Sequence, residues 1–454
     1  MKKTDYVVFT PLFANSLDAY VPELWAEESL IVLEQNIIAA ALVHRDFEDE
    51  IKMYGDTVHT RRPGKFVGKR KEHSAAVTVQ DAVATNVEVK LDQHLHTSFF
   101  ISDGEESKGF KNLLATYLEP AMQAIARQVD EIVISQQYQF LANSVGQLGT
   151  AVTKSTAVAL NTKMDTQLMP QMDRRCLVTP STKGDLLNVS EFTDAEKIAD
   201  GGLSVRNGSI GRYIGVDYVM SQLMPSVTVG QTILTKAINN AAGYPAGTTT
   251  MTIDGTGTPV PGQWVSINGV PYRATTGTII TTLVIEDGLR EAVADDDVVT
   301  VKVGGLVNLT AGYALNYGGT IVVDNFAGAN VMQRGQLASF GVSTGRYGVT
   351  SGVTTTAIDL DRRLEAAQAN DIVVGIAPDG NYNFGFHRNA IALVTRPLAL
   401  PATNMASAAV ATADSLSVRV VITYDGTNQG HLVTVDLLAG VKVLDTDLGV
   451  CMFG

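Results

Sequence analysis

Cysteine is almost absent from this chain: 454 residues hold two, Cys176 and Cys451. Neither belongs to a CxxC pair, and both sit in apolar contexts, so two buried reduced thiols are expected rather than a disulfide framework. That usage fits a reducing cytoplasm. Long apolar runs are missing too. The longest, Ile37 to Val43, falls far short of the roughly 18 residues of a membrane span. The opening MKKTDYVVFTPLF is not expected to be a signal peptide, because its apolar run is short and Asp5 interrupts the approach to it. No membrane partner is expected. Positive charge is in deficit: the net charge is −13, which leaves no general affinity for nucleic acid. An acidic body can line a compartment without sticking to nucleic acid inside it.

Catalytic signatures are equally sparse. There is no Walker A sequence and no GxGxxG after a strand; Gly255-Thr256-Gly257 lacks the third glycine and a following helix. Gly341-Val342-Ser343-Thr344-Gly345 matches GxSxG, but a nucleophile elbow needs a helix next, and Arg346-Tyr347-Gly348-Val349-Thr350 is not helical. His94 and His96, two apart on a predicted strand, share one face and would make half of a zinc site; no Cys/His cluster lies near them. A solvated or hydrogen-bonded pair is the plainer reading. Asp295, Asp296 and Asp297 lack the glycine and final glutamate of a calcium loop and read as a turn. No cofactor and no metal is expected, and the chain does not read as an enzyme.

What is present suits a globular chain of several domains. Hydrophobic residues make up 45% and charged residues 18%, enough to bury a sizeable core. Residues 1–20 read as an irregular arm. Pro22 then opens a helix to about Val43, with an apolar stripe of Leu24, Trp25, Leu30, Ile31, Ile37, Ile38 and Ala41. An acidic run follows, with Asp46, Glu48, Asp49 and Glu50. After it Arg61, Arg62, Lys65, Lys69, Arg70 and Lys71 fall within eleven residues. Gly64 and Gly68 suggest bends in a long two-stranded excursion there. Phe66 is the only aromatic in that run, so single-strand stacking is poorly supported; a solvated loop is one reading, and pairing with an acidic patch on a partner subunit is preferred. Val87, Val89, Leu91, Leu95 and Phe99 share one parity over Asn86–Ile101. The strongest helix runs from Pro120 to Leu141, about 30 Å long, with Met122, Ile125, Ala126, Val129, Ile132 and Val133 on one stripe.

Residues 151–227 read as mixed α/β: a helix near Ala157–Leu168, a short strand Cys176–Val178, a short helix Thr182–Leu187 and a strand pair over Ile210–Met220. From Ser226 to about Pro378 the chain turns Gly-, Thr- and Val-rich, which favours β-structure. A repeat of about 74 residues aligns Gly262-Gln263, Leu289 and Asp297-Val298-Val299 with Gly335-Gln336, Leu364 and Asp371-Ile372-Val373. Two duplicated small barrels or sandwiches are expected. Asn381–Pro401 then carries Tyr382, Phe384 and Phe386 at strand period, an apolar run Ala390–Thr395 and the stop Arg396-Pro397. A hairpin on Asp425–Gly430 joins Leu416–Tyr424 to His431–Val435.

Two segments, FHRNAIALVTRPLALP (Phe386–Pro401) and DLLAGVKVLDTDLGV (Asp436–Val450), together with the order of elements, resemble the major capsid (coat) proteins of tailed bacteriophages. Within that family the chain is similar to the branch with an inserted β-domain that includes the coat protein of the Salmonella short-tailed phage. The resemblance implies an α+β chain with the Johnson (Hong Kong-type) fold and a large all-β insertion of two repeated modules. By segment it implies an N-terminal arm and helix (1–55), an extended loop and strand (56–100), a peripheral domain with a spine helix (101–150) and the first part of an axial domain (151–227). The insertion (228–380), the axial return (381–415) and peripheral closing strands (416–454) follow, and on this resemblance the apolar run Ala390–Thr395 would complete a sheet begun before Ser226. It also implies a homo-oligomer of pentamers and hexamers, scaffolding and portal partners, enclosed double-stranded DNA without sequence-specific binding, synthesis in a host bacterial cytoplasm and a place in the virion. Some relatives crosslink a loop lysine to an asparagine, and Lys65, Lys69 or Lys71 could serve; insertion-bearing members resemble the non-crosslinking type. The alternative is a β-rich surface protein whose tandem modules bind carbohydrate. It would need exposed aromatics among Tyr244, Trp264, Tyr272, Tyr313, Tyr317, Phe326, Phe340 and Tyr347.

Overall fold

A computed structural model describes residues 22–45, 57–62, 68–71, 73, 76–77, 85–106, 117–189, 210–228, 234–254, 260–276, 281–302, 304–324, 332–350, 356–401, 407–413 and 416–454. The chain is α+β and strand-rich. Among the described residues no helix is long and apolar enough to cross a membrane. Two compact units form: one from Met1–Gln35, Leu95–Ile125 and Arg396–Leu438, the other from Asn36–His94, Ala126–Thr395 and Ala439–Gly454.

The first unit is built on a meander. Ser407–Ala413 pairs with Leu416–Asp425, which pairs with Gly430–Val443, and Gln93–Ser102 adds to the last strand. Leu416, Val418, Val420 and Ile422 alternate into its core. The expected hairpin closes with Asp425 opposite Gly430, its tip held by the Asp425 carboxylate, which accepts from the Thr427 N–H at 2.8 Å. Arg419 pairs with the buried Asp436 at 2.5 Å between neighbouring strands. The helix Pro22–Asn36 buries Trp25, Ala26, Ser29, Leu30 and Leu33, a stripe turned from the expected one, since Ile31 stands outside.

In the second unit a sheet runs in the order Ser144–Val145, Gly449–Phe453, Gly380–His387, Arg174–Val178, Val216–Met220, Gly211–Tyr213, with Ser226–Val227 also paired to Gly380–His387. The aromatic strand Gly380–His387 is therefore central. All residues from Tyr382 to His387 are buried, as for a strand covered on both faces. On one face Phe384 stacks on Phe386 at 4.8 Å and lies 5.0 Å from Phe140. On the other, Gly385 admits the helix Lys154–Thr166 so closely that a Cβ would meet Met164 at 2.5 Å and Leu160 at 3.1 Å. That helix packs Ala157, Leu160 and Met164 against Cys176, Val178, Val450 and Met452.

Here the expectation for the apolar run Ala390–Thr395 is corrected: the aromatic strand before it completes the sheet. The His387 ring ends that strand by accepting from the Asn389 N–H at 3.2 Å, and the turn Arg388–Ala390 redirects the chain. Ile391–Arg396 instead pairs beside Gly430–Val443 in the other sheet, and meets His44 through a parallel bridge at Ala392. The final strand, Gly449–Phe453, belongs to the central sheet rather than to the hairpin before it.

Both thiols are buried and free, as expected. They cannot meet. Cys176 lies opposite Gly385 and Cys451 opposite Phe384, and adjacent residues of a strand point to opposite faces. Burial pushes the Cys451 thiol up to about 12 and raises that of Cys176 further, so neither is a ready thiolate.

The insertion shows the expected duplication. Leu234–Ile238, Thr250–Asp254, Trp264–Ile267, Val270–Thr276, Thr282–Ile285 and Val298–Lys302 close a barrel. Leu306–Val307, Ile321–Asp324, Leu337–Phe340, Arg346–Gly348, Ala357–Ile358 and Val374–Ile376 repeat the succession as two three-stranded sheets, bridged at Leu306–Val373 and at Val349–Leu360. Side-chain hooks repeat with the strands. The Tyr272 hydroxyl accepts from the Arg290 N–H at 2.9 Å, and the Tyr347 hydroxyl from the Glu365 N–H at 2.8 Å. Gln263 and Gln336 each accept from the N–H three residues earlier, at 2.8 and 3.0 Å. The backbone refines the repeat: Asp296, at φ +63°, matches Asp371, at φ +60°, so Asp371 corresponds to Asp296 and not to Asp297. The modules touch backbone to backbone. Gly262, at φ +92°, has no room for a Cβ, which would stand 2.4 Å from the Gly341 carbonyl oxygen.

Candidate functional site

The two-stranded excursion exists at its base. Thr57–Arg62 runs antiparallel to Thr85–Lys90, from Thr57 opposite Lys90 to Arg62 opposite Thr85. Val58 and Val89 face each other and are buried, which fixes which side of the ladder is inward. Arg61 and Arg62 thus lie at the far end of the ladder, and Lys69, Arg70 and Lys71 are exposed beyond it. Lys65 and the acids Asp46, Glu48, Asp49 and Glu50 lie outside the described residues, as do the side chains of Arg61 and Arg62. Beyond Lys90 the expected continuous strand breaks at Leu91-Asp92 before resuming as Gln93–Ser102.

The richest polar cluster lies where the spine helix meets the insertion. That helix is α from Glu119 to Ser135 and tightens to a 3-10 turn over Gln136–Phe140, rather than running as one helix to Leu141. Asp130 is buried on it, and its carboxylate accepts from the Ile38 N–H at 2.8 Å and the Ala40 N–H at 2.9 Å. These bonds break the N-terminal helix, expected to run to Val43, into Pro22–Asn36 and Ala39–Leu42. A carboxylate 90 residues away supplies the capping acceptor that local sequence lacks. Glu131 forms an ion pair with Arg334 at 2.5 Å. The Tyr138 hydroxyl donates to the Gly335 carbonyl, and Arg346 donates to the Tyr138 carbonyl at 3.1 Å. Arg346 also reaches Glu286 of the first module, at 3.4 Å. The joint contains no activated nucleophile; what it can do is hold the second module against the spine. In sequence, the one trace of it was an acidic pair interrupting an apolar stripe.

Burial raises the pKa of Asp130, and three backbone N–H groups pull it back only in part. A carboxyl raised in the fold binds its proton more tightly there than in the unfolded chain. Its contribution is therefore full below the ordinary value of 3.8 and is lost as pH rises through the raised native value. Asp130→Asn removes this dependence. The stability difference between wild type and Asp130→Asn is expected to shift against wild type as pH rises above about 4, measured by urea unfolding from there to neutral pH. A difference that stays flat refutes the assignment.

The remaining sequence candidates form no reactive site. Gly341–Gly345 forms the turn between Leu337–Phe340 and Arg346–Gly348, with no helix after Ser343, whose carbonyl accepts from Arg273. His94 and His96 are exposed, and no group of three metal-capable side chains occurs among the described residues. Asp295 and Asp297 cap a turn, accepting from the Asn240 N–H at 2.7 Å and the Ala294 N–H at 2.6 Å. Gly255-Thr256-Gly257 lies outside the described residues. A cleft of about 530 Å³ beside the hairpin base is lined by charges of both signs, including Lys90, Arg363, Lys442, Glu88 and Glu365, and offers no nucleophile. Among the described residues the insertion's aromatics form no sugar platform, and Tyr244 is half-buried. Trp264, Tyr272, Tyr313, Phe340 and Tyr347 are buried, Phe326 lies outside the described residues, and Tyr317 is 38% exposed.

No family model and no curated protein sequence matches the chain. Solved structures do. A chain of Mycobacterium phage Che8 is similar, with TM-score 0.43 and 13% identity, over 92% of this chain and 90% of that one. A chain from the capsid of the cyanophage P-SCSP1u follows at TM-score 0.40 and 13% identity, over 88% and 84%. One from the capsid of Myoviridae phage XM1 has TM-score 0.37 and 9% identity, over 93% and 90%.

Proposed function

We propose that this chain is the major capsid protein of a tailed bacteriophage, a structural subunit and not an enzyme. The observation that carries the reading is the succession of its elements. A helix and a projecting hairpin with exposed cations precede a long helix. A sheet-and-helix layer follows, then an all-β insertion bolted to that long helix, and the chain closes in the central sheet. On this reading pentamers and hexamers build an icosahedral shell around double-stranded DNA, with scaffolding and portal proteins as partners. The subunit is made in the host bacterial cytoplasm and ends in the virion. Residues 56–90 reach over a neighbour, 120–141 form the peripheral spine, and 151–227 with 380–415 form the axial domain. A net charge of −13 keeps the wall from adhering to the DNA within. Weak contacts suffice because each is repeated many times. The test is electron microscopy of the expressed chain, with its scaffolding partner where one is required. Closed shells are expected; monodisperse monomers under every condition overturn the reading.

The hairpin cations are proposed to pair with the acidic run Asp46, Glu48, Asp49 and Glu50 of a neighbouring copy. Exposed pairs contribute about 0.2–1 kcal/mol each, so reversing Lys69, Arg70 and Lys71 to glutamate removes on the order of 1–3 kcal/mol per contact. The concentration needed for assembly is expected to rise roughly 10- to 100-fold, with no change in thermal unfolding of the free subunit. Light scattering during assembly reads this, and an unchanged threshold sinks the pairing.

A further inference from the structure

The helix Lys154–Thr166 ends in a loop that exposes what a monomer ordinarily hides. Leu168 is 90% exposed and Met172 77% exposed, the two most exposed large apolar side chains among the described residues. Leu168 sits at φ +58°, a helix-ending conformation that ordinarily falls to glycine. The loop is nonetheless held firmly from within. The Arg174 guanidinium, with its side chain 2% exposed, donates to the Pro170 carbonyl at 2.8 Å, the Met169 carbonyl at 2.5 Å and Asn161 Oδ1 at 2.8 Å, and pairs with Asp165 at 2.8 Å. Met169, between the two exposed residues, is buried in the core under the helix. A pinned, strained loop holding two apolar side chains in water is a preorganised contact.

The outer face of the same helix carries the complement. Val145, Val158 and Ala159 line a shallow apolar hollow along it, with Lys154 near one end and Lys163 and Thr166 toward the other. The loop brings an exposed acid, Asp173, beside Met172. Apolar side chains thus match an apolar hollow, and an acid matches lysines. Leu168 and Met172 stand in solvent, and no residue from Leu168 to Asp173 lines the hollow, so the loop does not fill its own chain's hollow.

We infer that the Leu168–Asp173 loop of one copy docks in the hollow on the helix Lys154–Thr166 of a second copy, a head-to-tail contact. Such a contact propagates and either closes a ring or runs open; that it closes rings of five or six rests on the shell reading. The contact itself is tested by pairing two single-cysteine chains, Met172→Cys and Val158→Cys, with a short thiol crosslinker. Both positions are exposed and both native thiols are buried. Crosslinked dimers between the two variants are expected at least tenfold above those within either variant alone. Equal yields, or none, overturn the inference. A second arm uses Leu168→Asp/Met172→Asp, which keeps the hollow, and Val158→Asp, which keeps the loop. Each alone is expected to stay monomeric, while their mixture stops at one-to-one dimers by light scattering, because one good contact survives. If each variant alone assembles as wild type does, the docking is refuted and the shell reading stands. Crosslinks between the two cysteine variants without any shells would instead refute the shell reading and uphold the docking.

Discussion

Truncating Trp264 to alanine is expected to destabilise the insertion by about 3–5 kcal/mol and to loosen both modules together. Trp264 is 1% exposed on the first barrel, yet its indole N–H donates to the Ser339 hydroxyl of the second module at 2.9 Å. The Arg346 guanidinium lies 5.6 Å from its ring centre. Alanine leaves a cavity, an unpaired Ser339 and an arginine without its aromatic partner, all at one junction. The neighbouring contact at Gly262 is backbone on backbone and cannot close over the gap. Hydrogen exchange followed by mass spectrometry checks this. Peptides from Leu234–Lys302 and from Leu306–Ile376 should both lose protection, while the hairpin Leu416–Val443 keeps its own. Loss confined to the first barrel would mean that the modules are independent. Trp264→Phe keeps most of the buried area and is expected to cost about 1 kcal/mol for the lost hydrogen bond.

Removing the Asp361 carboxylate should be comparably damaging. Asp361 is 2% exposed, pairs with Arg362 at 2.9 Å and accepts from the Gly348 N–H at 2.8 Å. Burial raises its pKa, opposed chiefly by the Arg362 charge. Arg362 in turn lies 4.7 Å over the Tyr347 ring and donates to the Arg346 carbonyl at 2.7 Å. Asp361→Ala leaves a buried guanidinium short of its counter-charge, a loss of about 3–5 kcal/mol. Asp361→Leu combined with Arg362→Met leaves no buried charge and should recover part of it. The Gly348 N–H then remains unpaired, at about 1–3 kcal/mol. Urea midpoints of the two variants decide the matter. If the single variant unfolds no earlier than the double, the pair does not hold the second module.

Much of this architecture was legible because it is local. The spine helix follows from apolar residues at helical spacing, and the closing hairpin from a glycine-bounded turn between alternating strands. The duplication follows from Gly-Gln, Leu and Asp positions recurring about 74 residues apart; the two glutamines make the same hydrogen bond in their own modules, so the pattern survives in the sequence. The thiols' burial was readable from apolar neighbours. The hairpin cations were visible as composition, and Lys69, Arg70 and Lys71 are exposed.

Tertiary structure decided the rest. The N-terminal helix breaks at Ile37 because Asp130, far along the chain, accepts the N–H groups that follow. The aromatic strand wins the middle of the sheet over the more aliphatic run behind it because helix and aromatic layers cover both its faces, and no single-strand periodicity reports that. The two thiols are kept apart by the strand between them, which sets their strands about 10 Å apart, and by a one-residue offset that turns them to opposite faces. Leu168 and Met172 read in sequence like any helix end. Only the buried Arg174 beneath them turns that stretch into a rigid apolar projection. Sequence by itself determined the elements, their order and the repeat, since these depend on neighbours a few residues apart. Caps, sheet position, facing and exposure fell to the tertiary structure, because each depends on a polar or packing partner that the chain supplies from elsewhere.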